Sequence, residues 1–317
     1  MSEIVLKSEK INKHFGITHA VKDVSLEFKK GEIHGLIGEN GSGKSTFCSM
    51  LCGIHSISSG KFFMNDSELS VKSQVEANLA GISIIVQEMG TLSGLTVAEN
   101  IFLGEEEQFM HGIVKDTAAL NREAQRLLDN YGFKINASTM IDNYSFEDRK
   151  LVEIVKATYF NPEIIVVDET TTALNQSGRE ELFKVMNAIK ADGRTVIFIS
   201  HDLSEVITHT DRISALRDGE LVGTVNSSDV DSDDLKKMMV GRELGGRYYR
   251  TDYGSSVSDE VVLSVKDVTV PGEIENVNFE LHKGEILGFG GLSECGMHEI
   301  GKAVFGASYD RKGTVLL

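Results

Sequence analysis

Short apolar runs recur along the chain, each ending at a glycine-rich or polar edge: Ile33–Ile37, Ile82–Val86, Ile164–Val167 and Thr195–Ile199. Runs without a polar alternate predict strands covered on both faces. Residues 4–30 differ. Ile4-Val5-Leu6, Val21 and Val24-Ser25-Leu26-Glu27-Phe28 alternate as antiparallel strands do, with a turn at Lys29–Glu32, and Gly60–Met64 predicts one more strand. Phe15 falls on the loop between the first of these strands. Helical spacing appears in Phe47–Leu51, Val75–Leu79, residues 116–131, Arg149–Tyr159 and Arg179–Lys190. Thr96 followed by Glu99 forms a capping box that opens another helix. Strands alternating with helices predict an α/β fold. Its core is a mostly parallel sheet with right-handed crossovers, beside an antiparallel β subdomain, with a helical insertion at about residues 90–160.

Residues 223–259 are polar and rich in Ser, Asp and Gly, interrupted by a short helix at Asp233–Val240. They predict a first domain at 1–240 and a linker at 241–259. Beyond it the chain repeats itself. Val277–Ile286 matches Val24–Ile33 at a shift of 253, and Gly291, Gly296, Gly306 and Gly313 match Gly38, Gly43, Gly53 and Gly60 at the same shift. Residues 260–317 are therefore expected to be the start of a second copy of the first domain.

The 317 residues, 41% hydrophobic, suffice for a sizeable core, and a net charge of −16 disfavours a general nucleic-acid or anionic-membrane surface. Cys48, Cys52 and Cys295 are too few and too odd for a disulfide framework, and suit a reducing compartment. No apolar run of membrane-spanning length and no signal peptide is present. The expected location is cytoplasmic, at a membrane only through a partner. His14, His34, His55 and His209 lack ligand-like spacing with acids or cysteines and read as structural or surface residues.

The chemistry concentrates at Gly38-Glu39-Asn40-Gly41-Ser42-Gly43-Lys44-Ser45-Thr46, which fits the phosphate-cradling pattern G-x-x-x-x-G-K-[ST] between a strand and a helix. Glycines let backbone N–H groups approach phosphates, and a helix N-terminus favours anions. Lys44 is placed to reach β- and γ-phosphates, and the Ser45 hydroxyl to ligate Mg²⁺. Gln87, Asp168-Glu169 and His201 follow other strands and converge on the same sheet edge. Asp168 suits Mg²⁺, Glu169 suits orienting or deprotonating a water, and Gln87 and His201 suit contacts to water, metal or γ-phosphate.

These motifs resemble those of the ATP-binding cassette (ABC) family over essentially the whole chain, within the P-loop NTPases with a RecA-like sheet. The resemblance implies ATP and Mg²⁺ as cofactors. It makes Phe15 the aromatic that stacks on adenine, Gly38–Thr46 the Walker A loop, Gln87 the Q-loop, Ile164–Asp168 Walker B, Glu169 the catalytic glutamate, Thr172–Asn175 the D-loop and His201 the switch histidine. Lys44 and Gln87 join the catalytic set, and Ser45, Gln87 and Asp168 the metal set. The stretches Gly35–Asn40, Leu95–Gly104 and Met238–Arg242 are similar to the double-cassette ATPases of bacterial monosaccharide importers of the ribose and galactose type, with nucleoside importers as close neighbours. That implies membrane-spanning permease subunits, a solute-binding protein behind them, a second cassette and no nucleic acid as partners, on the inner face of the cell membrane. A nucleotide-gated cassette without a transport role is a further alternative.

The departures are specific. Tyr144-Ser145-Phe146-Glu147-Asp148 stands where the family places a Leu-Ser-Gly-Gly-Gln-like signature, and only the serine remains. Phe146 is expected to block close approach, and Glu147 and Asp148 to repel a phosphate. Met297 and His298 replace the Lys44 and Ser45 positions in the second copy, and Thr170 stands where proline is usual. Because cassettes of this family dimerise head to tail, the two defects are expected to meet in one dead site. The intact Walker A loop then needs a signature from the second copy, so a chain ending at Leu317 is expected to bind Mg-ATP but hydrolyse it weakly.

Overall fold

A computed structural model of the protein describes residues 3–86, 90–112, 114–240, 257–291 and 295–317. They fall into two compact units, Met1–Glu243 and Leu244–Leu317.

The first unit opens with β1 (Ile4–Phe15), β2 (Thr18–Val24), β3 (Glu27–Lys29) and β4 (Ile33–Ile37). Helix α1 (Lys44–Leu51) leads to β5 (Ser59–Met64), β6 (Ser67–Leu69), α2 (Gln74–Leu79) and β7 (Ile82–Ile85). The insertion holds α3 (Val97–Ile101), β8 (Met110–His111), β9 (Val114–Lys115), α4 (Thr117–Asn130) and α5 (Phe146–Thr158). Then come β10 (Ile164–Asp168), α6 (Gln176–Ala191), β11 (Thr195–Ile199), α7 (Leu203–His209), β12 (Arg212–Arg217), β13 (Glu220–Asn226) and α8 (Ser232–Val240).

The central sheet runs β13-β12-β4-β11-β10-β7, parallel except where β13 pairs antiparallel with β12. Its strands lack polar alternates because successive residues serve two different cores. Ile165, Val167, Val196 and Phe198 join the cluster of the helical side. Ile164, Val166, Ile197 and Ile199 join the cluster formed with α1 and the antiparallel sheet β2-β1-β5-β6, on which β3 also pairs with β1. Since β4, β10 and β11 are parallel neighbours, the loops that follow them emerge along one edge, which is where the site assembles.

Several expected boundaries move. Phe15 closes β1 rather than lying in a loop. Helix α5 begins at Phe146, not Arg149, because Ser145 caps it by accepting the Asp148 N–H. Asn175 does the same for α6 through the Gly178 N–H, drawing its start back to Gln176. Residues 223–226 belong to β13, since the antiparallel pairing with β12 outweighs their polar character.

The second unit contains β14 (Val261–Val270), β15 (Ile274–His282), α9 (Met297–Phe305) and β16 (Lys312–Leu316), with β14 central in an antiparallel sheet. Its core is small: Val265, Val268, Val270, Ile274 and Ala303. Residues 286–290, which match β4 at the shift of 253, form no strand. Ile286 is 83% exposed where Ile33 is 1% exposed. In the first unit β4 takes its hydrogen bonds from β11 and β12, and the described second unit has no counterpart of either.

Candidate functional site

The glycine-rich loop leaves β4 at its buried end and turns into α1. A Cβ at Gly38 would collide with Leu216 O and Ser42 Oγ. Gly43 caps α1 at φ 99°, with Ala20 O 2.6 Å from where a Cβ would stand, so a side chain is excluded by both conformation and space. Lys44 is buried, and its Nζ donates to Gly38 O (2.9 Å) and Glu39 O (3.1 Å). Burial holds its ammonium below the usual lysine range, against the pull of Glu169 and Asp168. Glu39, Asn40, Gly41 and Ser45 are exposed and Thr46 is half-buried. Ser42 Oγ is buried without a hydrogen-bond partner. An open polar rim, a buried cation and an orphaned hydroxyl are what a polyanion would satisfy.

Asp168 ends β10 and accepts from Ser45 Oγ at 3.3 Å. Burial pushes its carboxyl up, the Ser45 hydrogen bond opposes this, and neighbouring Glu169 adds to the rise. A cation between hydroxyl and carboxylate oxygens would reverse that penalty, and these are donors that a hard divalent ion takes. Glu169 adopts φ 47°, with its N–H on Ile199 O (3.0 Å). This strained turn brings Glu169 Oε1 to 2.7 Å from His201 Nε2. Two residues 32 positions apart in sequence thus touch at the ends of adjacent strands.

Phe15 is half-exposed, with the Lys13 ammonium 4.9 Å from its ring centroid and the His55 ring against its edge. Gln87 lies outside the described residues. On either side of it, Val86 O accepts from Lys150 Nζ at 2.8 Å, and Glu153 Oε1 accepts the Gly90 N–H. Lys150 and Glu153 are themselves paired at 2.8 Å and buried. Their spacing of three on α5 was the available sequence signal for this clamp. His34 is buried, its Nδ1 at 2.9 Å from Glu32 and Nε2 at 2.8 Å from Ser214 Oγ.

The Tyr144–Asp148 stretch is occupied by its own side chains. Ser145 Oγ donates to Asp148 Oδ2 at 2.9 Å, and Glu147 Oε2 accepts from Asn175 Nδ2 at 2.6 Å. Phe146 is 47% exposed. Thr170 is fully buried, its hydroxyl donating to Asp168 O. In the second unit Gly296 caps α9 at φ 89°, as Gly43 caps α1, and Met297 and His298 open that helix.

Comparison with known proteins matches residues 21–172 to the family model described as "ABC transporter". The chain is 36% identical over 314 residues to the ribose import ATP-binding protein RbsA of Clostridium tetani, covering 98% of this chain and 61% of that protein. It is 35% identical to the putative ribose/galactose/methyl galactoside import ATP-binding protein 1 of Agrobacterium fabrum, covering 96% of this chain and 59% of that one. It thus spans about three fifths of the length of these curated relatives. Among solved structures, a nucleotide-free ATP-binding cassette from an ABC transporter aligns at TM-score 0.62 and 26% identity, over 70% of this chain and 91% of its own. Another, an ABC transporter cassette in its ADP conformation, aligns at TM-score 0.64 and 26% identity, over 74% and 94%.

Proposed function

The chain belongs to the ABC transporter family, and from that premise we propose that it binds and hydrolyses ATP to power the import of a monosaccharide. The observation that carries this reading is the meeting of Glu169 and His201 at 2.7 Å beside the Lys44 loop and the Ser45–Asp168 pair. A protein that only held nucleotide would need the loop but not the pair. Gly38–Thr46 cradle the phosphates, and Lys44 exchanges its carbonyl partners for phosphate oxygens. Phe15 offers its ring to adenine. Ser45 and Asp168, with Gln87, hold Mg²⁺, which would neutralise phosphate charge. Glu169 takes the proton of an attacking water, and His201 holds Glu169 in place and contacts the γ-phosphate.

We assign residues 1–240 to a first cassette, 241–259 to a linker and 260–317 to the start of a degenerate second one. The Tyr144–Asp148 turn, filled by its own carboxylates, gives no support to a role in binding phosphate. The competent site therefore pairs Gly38–Thr46 with a signature in a second cassette. The import ATP-binding names of the relatives support permease subunits and a solute-binding protein as partners, with the chain peripheral on the cytoplasmic face of the membrane. No helix among the described residues is long and apolar enough to cross a membrane itself. A groove of about 330 Å³ between α2, β7 and α5, lined by the exposed Val75, Leu79 and Phe160, is the surface we assign to the permease. Mg-ATP binding by calorimetry and phosphate release, with and without a supplied second cassette, test the reading. Expected are binding by the chain alone, weak turnover that the second cassette raises, and loss of turnover with retained binding in Glu169→Gln. Fast hydrolysis by the chain alone would sink the split-site part, and absence of ATP binding would sink the whole.

A further inference from the structure

Behind the Glu169–His201 contact lies a second set of polar groups, centred on Arg179 in the first turns of α6. Its Nε donates to Thr171 O and Leu174 O, both at 3.1 Å, and its Nη1 to Glu205 Oε1 at 3.2 Å. Glu205, on α7, accepts through its other oxygen from Ser200 Oγ at 3.0 Å. Ser200 Oγ in turn accepts the Asp202 N–H at 3.1 Å and lies 3.5 Å from Thr171 Oγ1. Ser200 is 3% exposed and Thr171 2%. One guanidinium therefore fastens the loop after β10 directly, and the loop after β11 through Glu205 and Ser200. Glu169 stands at the start of the first loop and His201 in the second, immediately after Ser200.

We propose that Arg179 is a positioning residue for ATP hydrolysis, holding the loops after β10 and β11 in the register that sets the Glu169–His201 contact. Its link to catalysis depends on Glu169 and His201 being the hydrolytic pair, as proposed above. The geometry asks for arginine in particular. Two carbonyls share the single Nε–H while a carboxylate meets Nη1, so the rigid guanidinium plane holds loop and carboxylate at a fixed separation, which a point ammonium on a flexible stem does not. The loop after β10 also includes Asn175, which bonds Glu147 at the start of α5. The clamp thus joins the hydrolytic pair to the helical insertion through a short chain of contacts.

The test uses the intact chain with labelled histidine. The His201 ring resonances are assigned by their loss in His201→Ala and followed in Arg179→Met, Glu205→Ala, Arg179→Lys and, as a control on the same helix, Lys184→Met. Arg179→Met and Glu205→Ala should displace them, Arg179→Lys should displace them less, and Lys184→Met should leave them in place. ATP turnover should fall about tenfold in Arg179→Met, because a loop displaced by a fraction of an ångström misplaces the reacting groups. The KM for ATP should stay within about twofold, since Arg179 touches neither the Lys44 loop nor Phe15. Unmoved His201 resonances in an Arg179→Met protein with native circular dichroism would overturn the proposal, whatever its turnover. Should Arg179→Met fail to fold, Glu205→Ala carries the same comparison, because it leaves both loop carbonyls with their donor. A wild-type chain that turns over no ATP even with a second cassette supplied would count against the hydrolytic reading alone, while the resonances still decide the clamp.

Discussion

Replacing Lys150 by methionine removes a buried ammonium while keeping most of the stem's volume. Lys150 is fully buried, and the Glu153 side chain is 7% exposed. In the native fold the Glu153 carboxylate has the ammonium at 2.8 Å on one oxygen and the Gly90 N–H on the other. Methionine leaves that carboxylate buried with the Gly90 N–H as its remaining hydrogen-bond donor among the described residues, and leaves Val86 O without its 2.8 Å donor. Breaking a buried ion pair by deleting one partner costs about 3–5 kcal/mol, because the survivor keeps its desolvation penalty. At roughly 2–4 °C per kcal/mol for a domain of this size, the melting temperature should fall by about 6–20 °C. The double variant Lys150→Met/Glu153→Leu removes both charges and should recover most of the loss. Far-UV circular dichroism is the suitable probe, as the chain contains no tryptophan. A single variant that loses less than about 1 kcal/mol, or a double variant no more stable than the single, would refute the buried-clamp account. On the role proposed for Gln87 in holding Mg²⁺, the consequence reaches function, because the clamp fastens Val86 and Gly90 on either side of that residue.

Two further outcomes follow from burial. Cys48 and Cys52 are fully buried and burial pushes both thiols far up, while Cys295 is exposed. A maleimide at pH 7.5 should therefore label one thiol in the native chain and three after denaturation; rapid labelling of all three in the native state would contradict the packing of α1. Burial holds the His34 ring below its ordinary value of 6.5 despite the Glu32 carboxylate beside it. As pH falls past about 6.5 the unfolded chain takes up a proton that the fold refuses, so stability should decline with falling pH in that range. Urea melts of His34→Gln should show a shallower decline, and an unchanged slope would remove His34 from the account.

Much of this protein was already written in the order of its residues. Gly38–Thr46 carries the pattern proposed here to cradle phosphates, legible because that chemistry needs glycines, a lysine and a hydroxyl at adjacent positions of one turn. The apolar runs at 164–167 and 195–199 announce doubly covered strands because a pleated strand puts successive side chains on opposite faces. Thr96 and Glu99 announce a capping box that the fold contains in full. These are local relations, settled within one element. Tertiary structure decided the rest. That Glu169 touches His201, that Lys150 holds Val86 from 64 positions away, and that Arg179 fastens two loops depends on which strands lie side by side. Residues 286–290 show the same limit from the other side. They repeat much of the strand pattern of Ile33–Ile37 yet form none, because a central strand needs hydrogen-bonding neighbours that its own residues cannot provide.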